Sequence, residues 1–435
     1  MTQIESSLLQ EKLILETLPV GLTIGVIPKP GFVKKFAVLA AHYGSINSKF
    51  RCQGASRVEE MPAGIAHFLE HKLFEKEDGN ISDRFSKNGA SVNAFTSNTV
   101  TAYYFDCADS SAHAEKFREN LNLLLELAFS PYITDETVSK EIPIVQQEIC
   151  MCEDFPDWRL HRNLLQSLYS VHPVRVDTAG TKESVGRITR ELLLRCHNLF
   201  YSPSNALLLC AGDMGFEQVE DVARRWHWGE RSAPPETVIE PEPSCVAQKS
   251  ARESMRVHLP KLLIGFKEPE ESACGEALVR RSIEIDLCLS IAFGRSSPAY
   301  RRFYESSLID DTFSFSHSAD REFAFTVIGG DTPAPERLRD AIVKTLEGLK
   351  RTGVPVQDFA RMKRKAAGLF VRSFNSLESV AIHALASHFL GFNHFESLKV
   401  LESVTEDDVN SRLSRHFCEE RMAVSTILPL PSSNV

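Results

Sequence analysis

The stretch 62-PAGIAHFLEHKLF-74 decides how this chain is read. Pro62 suits the first turn of a helix, where the backbone N–H it lacks has no intrahelical partner and its fixed φ is already helical. The pattern predicts a helix from Pro62 to about Phe74. On it, His67 and His71 stand four residues apart, one turn along a single face, and Glu70 projects close to that face. Two neutral imidazoles so placed can reach one tetrahedral zinc ion at about 2.0–2.1 Å, with a carboxylate beside the open coordination position. A lone histidine reads as core or surface; two with an intervening glutamate read as metal ligation.

Upstream, residues 22–42 read as strand, turn and strand, with a Pro-Gly signal at 30–31 between two apolar runs. Downstream, 90-ASVNAFTSNTVTAYYFDCA-108 is rich in Val, Thr and aromatics and predicts one or two strands bent near Thr96 to Asn98. Two amphipathic helices should follow, one over about 111–129 and one starting after Thr134, a good N-cap. Pro143 inside the second should kink it. The four prolines of 233-APPETVIEPEPS-244 mark a linker at 233–250 between domains 1–232 and 251–435. The second half echoes the first, since 115-EKFRENL-121 aligns with 336-ERLRDAI-342. The expected fold is α+β, as two α/β-sandwich domains of related design.

At 435 residues the chain is too long for one ordinary core. With 43% hydrophobic and 25% charged residues the composition is globular. A net charge of −9 without clustered Lys and Arg argues against nucleic acid as a partner. No apolar run approaches the roughly 18 residues of a membrane span, and residues 1–19 lack a basic leader, so a cytoplasmic location is expected. The ten cysteines show no paired C-x-x-C spacing and read as reduced thiols.

H-x-x-E-H is the inverzincin signature, and from here the chain resembles the pitrilysin/insulinase family of zinc metallopeptidases. The resemblance is carried by Gly44 and Ser45 before the motif helix, by the N-A-F-T segment Asn93 to Thr96, and by a glutamate far beyond His71, Glu148 in 144-IVQQEICMCEDFPDW-158. It implies that Zn²⁺ is held by His67, His71 and Glu148, that Glu141 orients a ligand rather than binding metal, and that an edge strand at Asn93, Ala94 and Phe95 pairs with an extended peptide. It also implies two halves of one α+β fold that close like a clamshell, as in the bacterial processing-peptidase-like branch, whose chains are about this long. Two imidazoles and one carboxylate leave a position for water, from which Glu70 would take a proton before delivering it to the leaving amine.

One departure stands out. Active members carry R-E-x-x-G-L-x-Y in the second half, and here 303-FYESSLIDDTFSF-315 puts Tyr304 in the arginine's place, with Phe313 the nearest aromatic to the family tyrosine. An oxyanion donor is worth about 3–4 kcal/mol, so a related subunit, in a homodimer or heterodimer, is expected to supply it. Two other readings stay open: a non-catalytic or assembly subunit of the same fold, and a zinc hydrolase acting on something other than peptides.

Overall fold

The computed structural model describes residues 1–6, 9–108, 114–229, 233–268 and 273–431. Contacts divide the chain into two units. The first comprises Met1–Ile149, Asp177–Ile239 and Val371–Phe389; the second comprises Cys150–Val176, Glu240–Phe370 and Leu390–Val435. This is not the contiguous division expected from sequence, 1–232 and 251–435 about a linker at 233–250, because each half of the chain gives one helix to the other half's unit.

The first unit is built on a seven-stranded sheet in the order Thr2–Ser6, Glu11–Thr17, Thr23–Pro28, Ala206–Gly212, Lys34–Ala41, Thr101–Ala108, Ala90–Thr96. The strands read at 22–42 are present, but they are not partners. Ala206–Gly212 lies between them, parallel to Thr23–Pro28 and antiparallel to Lys34–Ala41. Its sequence ALLLCAG is buried at every position, as a strand covered on both faces requires. Ala90–Thr96 and Thr101–Ala108 form an antiparallel hairpin, which leaves Ala90–Thr96 at the sheet's edge.

The second unit repeats this plan over five strands: Ser250–Met255, Met422–Pro429, Lys261–Lys267, Ala324–Asp331, Ser314–Ala319. Again a late strand, Met422–Pro429, is inserted parallel to one neighbour and antiparallel to the other, and again a hairpin closes the edge. The echo between 115–121 and 336–342 falls on equivalent helices, Ala114–Phe129 and Pro335–Thr352, each following its hairpin. The first three residues of the helix expected over 111–129 lie outside the described residues.

The exchanged helices show why the division is interleaved. Leu377–Phe389 packs on strands Ala206–Gly212 and Lys34–Ala41 of the first sheet. It buries Leu377, Val380, Ala381, Ala384 and Leu385, an i, i+3, i+4, i+7, i+8 stripe. Each large apolar side chain so covered contributes about 1.5–3 kcal/mol. Pro156–Leu168 does the same for the second sheet, burying Leu160, Leu164 and Leu168 against Lys261–Lys267 and Met422–Pro429. Gly265 makes room for it: a Cβ there would stand 2.8 Å from Leu168 Cδ1. In the second unit the proline-rich stretch is anchored rather than free. Glu242 accepts hydrogen bonds from the backbone N–H groups of Ser170, Val171 and His172 at 2.7–2.8 Å and from Lys267 Nζ at 2.7 Å.

Candidate metal centre

The motif helix runs Ile65–Leu73, three residues shorter at its start than the proline suggested. Gly64 is its N-cap, at φ +90°, a backbone conformation that favours glycine. A Cβ on Gly64 would lie 2.3 Å from Ala179 O, and one on Gly180 would lie 2.4 Å from Ala63 O. The two glycines thus let backbone meet backbone, and Ser184 Oγ donates to Ala63 O at 2.7 Å to hold the junction. Ile65, Ala66, Phe68, Leu69 and Leu73 face the core, so His67, Glu70 and His71 fall on the half-buried side.

Opposite stands the long helix Asp135–Glu153, which starts after Thr134 as expected, with Thr134 Oγ1 accepting from Thr137 N. The helix continues through Pro143. Glu141 and Glu148 are seven residues apart, two turns along one face, and both reach the histidines. Glu141 Oε1 lies 3.1 Å from His71 Nδ1. A carboxylate can only accept, so Nδ1 carries the proton and Nε2 presents its lone pair. Glu148 approaches from the other side of the ring, with Oε2 at 3.7 Å from His71 Nε2 and Oε1 at 3.7 Å from His67 Nε2.

One donor atom from each of His67, His71 and Glu148 lies within 4.8 Å of the others. The Nε2···O separations of 3.7 Å exceed hydrogen-bond length but are close to the roughly 3.3 Å between donors at about 2.0–2.1 Å from a tetrahedral zinc ion. Two imidazoles and a carboxylate are also a suitable donor set for it. The residues fit the ion.

Electrostatics point the same way. Burial, reinforced by His71, pushes His67 down to about 4, so it is neutral at physiological pH, as a ligand must be. For His71 burial acts downward, but the hydrogen bond to Glu141 and the charges of Glu70, Glu141 and Glu148 outweigh it and raise the ring's proton affinity. Burial raises the Glu70 carboxyl above the ordinary carboxylate range, opposed in part by a hydrogen bond from Thr96 and by His71. Thr96 Oγ1 donates to Glu70 Oε2 at 2.7 Å.

Asn93, Ala94 and Phe95 lie on the edge strand Ala90–Thr96, beside the motif helix. Ala94 N–H donates not to the neighbouring strand but to Asn93 Oδ1 at 2.8 Å, so it faces the open side. Sequence reasoning gave no role to Thr96, although the N-A-F-T segment contained it. It also passed over Asp177, whose charge acts on His67, and the Gly64–Gly180 junction; no local signal marked either.

An H-x-x-E-H helix in a duplicated α+β chain marks the inverzincin class. Comparison with known proteins narrows it. Residues 52–182 match the model of the insulinase family, peptidase family M16, and residues 187–366 match the peptidase M16 inactive domain. The chain is 39% identical over 433 residues to a Bacillus subtilis protein named uncharacterized zinc protease YmfH, covering 98% of this chain and 99% of that one. It is 27% identical over 381 residues to a second B. subtilis protein named zinc protease YmxG, covering 84% and 88%. The crystal structure of an M16-like peptidase from Alicyclobacillus acidocaldarius matches with a TM-score of 0.91 at 33% identity, covering 99% of this chain and 100% of that one. The chain belongs to the insulinase family, peptidase family M16.

Proposed function

We propose that this protein is a zinc-dependent endopeptidase acting on extended or unfolded peptides, with His67, His71 and Glu148 holding the ion and Glu70 as general base. The carrying observation is the convergence within 4.8 Å of three donor atoms, one of them from a glutamate on a different helix, distant in sequence from the histidine pair. The relatives' names, zinc proteases, support the same reading.

Bound there, zinc supplies Lewis acidity toward a carbonyl oxygen and makes water more acidic. Thr96 holds Glu70 Oε2, which leaves Oε1 to take a proton from the attacking water. As the new C–O bond forms and the C–N bond breaks, Glu70 gives that proton to the leaving amine. Glu141 keeps the proton on His71 Nδ1 and the ring in position. The edge strand at Asn93, Ala94 and Phe95, with the main chain of Ala94 facing outward, pairs with the peptide as an added strand, which holds the scissile bond extended while tolerating many sequences.

The test is metal content and cleavage of a denatured-protein mixture by the wild type, by Glu70→Gln and by chelator-treated protein. Glu70→Gln should keep one zinc and lose turnover; undiminished cleavage would remove Glu70 from its role.

A second reading, that the chain works with a related subunit, rests on Tyr304, which precedes Glu305 where active relatives are expected to carry arginine, and is 50% exposed. Such a subunit, a second copy or a different chain, would bring the missing oxyanion donor. Full activity from a monomer of 48.7 kDa would end this reading. Among the described residues no helix is long and apolar enough to cross a membrane. None of the ten cysteines forms a disulfide, which suits a reducing compartment, and a cytoplasmic location is part of the proposal.

A further inference from the structure

The second unit holds a cavity of about 570 Å³ walled by helices Gly275–Phe293, Pro298–Glu305 and Pro335–Thr352 and by the start of helix Val356–Ser373. Its floor is apolar: Ile291, Ala299 and Phe303 are each at most 4% exposed. Its wall is cationic. Arg302 comes from one helix, while Lys344 and Arg351, two turns apart and so roughly 10 Å along the axis, come from another. Among the described residues none of the three has an ion-pair partner. The one acid in the wall, Asp358, is already held by Arg361 at 2.6 Å. All three are exposed, and Arg351 Nε donates to Glu347 O at 3.3 Å, so in a chain of net charge −9 the rim of this hollow is positive without a carboxylate bound to any of the three.

We propose that this cavity binds a single-chain anionic amphiphile, a carboxylate head on an unbranched apolar tail. The tail lies on Phe303, Ala299 and Ile291, and the head sits among Arg302, Lys344 and Arg351. Small-ligand sites combine a mostly apolar concavity of about 300–1,000 Å³ with a few polar groups, and this cavity has that volume, an apolar floor and three cations in its lining. Guanidinium and ammonium groups select a carboxylate over a neutral head. An extended peptide is disfavoured, because helices satisfy their own backbone and offer no strand edge for pairing.

The probe is decanoate, titrated into the full-length protein below its micelle concentration, with decanol as the neutral control. One saturable site should appear, binding decanoate at least tenfold more tightly than decanol. Reversing the charge with Arg302→Glu and Arg351→Glu together should weaken binding at least tenfold. Gly348→Leu should do the same by occupying the hollow, and it should fold, since a Cβ at Gly348 meets nothing within 4 Å and leucine favours a helix. Chelator treatment should change nothing, which separates this site from carboxylate binding to zinc. The proposal is overturned by the absence of a saturable site, by equal affinity for decanol, by indifference to both variants, or by loss of binding on chelation. It is equally overturned if an acidic helical peptide displaces decanoate with higher affinity, for the occupant would then be a protein.

Discussion

Both units bring histidine and glutamate together, with opposite results. In the second unit Glu268 is closed inside a cluster: His416 Nδ1 bonds its Oε2, while Arg412 and Arg281 stand 3.6 and 3.9 Å from its Oε1. His416 Nε2 bonds Thr326 Oγ1 at 2.7 Å, and His317 Nδ1 meets the same hydroxyl at 3.0 Å. His416 and Glu268 have side chains only 0% and 4% exposed. In the first unit His67, His71 and Glu148 are 14%, 27% and 42% exposed, and their facing atoms stop 3.7 Å apart. The same side chains saturate one another in the second unit, and in the first they leave lone pairs that converge without meeting, which is what the proposed zinc site requires.

Breaking each cluster should therefore have opposite readouts. The largest effect is expected from Glu70→Gln, a loss of about 10²–10⁴-fold in turnover with thermal stability unchanged or raised, measured by peptide hydrolysis and by Tm. Glu268→Gln should do the reverse. Removing the buried anion that His416 bonds and that Arg281 and Arg412 approach, while Glu284 still holds Arg412 at 2.9 Å, costs up to about 3–5 kcal/mol, read as a lowered urea midpoint, while zinc content stays intact. A midpoint within error of the wild type would refute the structural assignment. Glu141→Gln should fall between the two, with about 10–100-fold weaker zinc affinity, recovered by added metal.

A pH titration sharpens the contrast. Burial and the neighbouring His416 push His317 down to about 3, so the folded protein refuses a proton that the unfolded chain accepts near pH 6.5. The unfolded state then binds more protons, and stability present above pH 6.5 is lost as pH falls toward 3, by up to about 1.4 kcal/mol per pH unit. For Glu268 burial acts upward, but the hydrogen bond and charge of His416, with Arg281 adding, hold the carboxyl below its ordinary range, and it adds loss of the same sign at lower pH. His317→Leu should flatten the slope between pH 6 and 4; an unaltered slope would show that other groups carry it. The smallest effect is expected from Ala94→Pro. It removes an outward N–H without touching the ladder, so folding and zinc should persist while KM for an extended peptide rises roughly two- to tenfold, the value of one main-chain hydrogen bond.

Local chemistry was legible in sequence wherever the signal was periodic or repeated. Two histidines four apart had to share a helical face, and the first unit's hairpin was visible in its run of Val, Thr and aromatics. The family resemblance brought in Glu141 and Glu148, which no spacing rule could have paired with His71. Long-range order was hidden. Nothing in LTIGVIP and FAVLAAH announces that ALLLCAG, far later in the chain, will separate them, because a strand buried on both faces carries no alternation to reveal its neighbours. The reciprocal helices escaped for a similar reason: an amphipathic stripe shows that a helix is covered, not which sheet covers it.

Helix Leu377–Phe389 has a consequence for biosynthesis. The first sheet is complete in sequence by Gly212, yet the helix that covers strands Lys34–Ala41 and Ala206–Gly212 leaves the ribosome only after the whole stretch from Glu240 to Phe389 has been made. Counted from Gly212 to Phe389, at about 5–20 residues per second, that is roughly 9–35 s during which an apolar sheet face stands bare. A nascent chain in that interval is a natural client for a holding chaperone. A fragment ending at Ile239 should stay in that state permanently, collecting in inclusion bodies unless a peptide spanning 371–389 is expressed beside it.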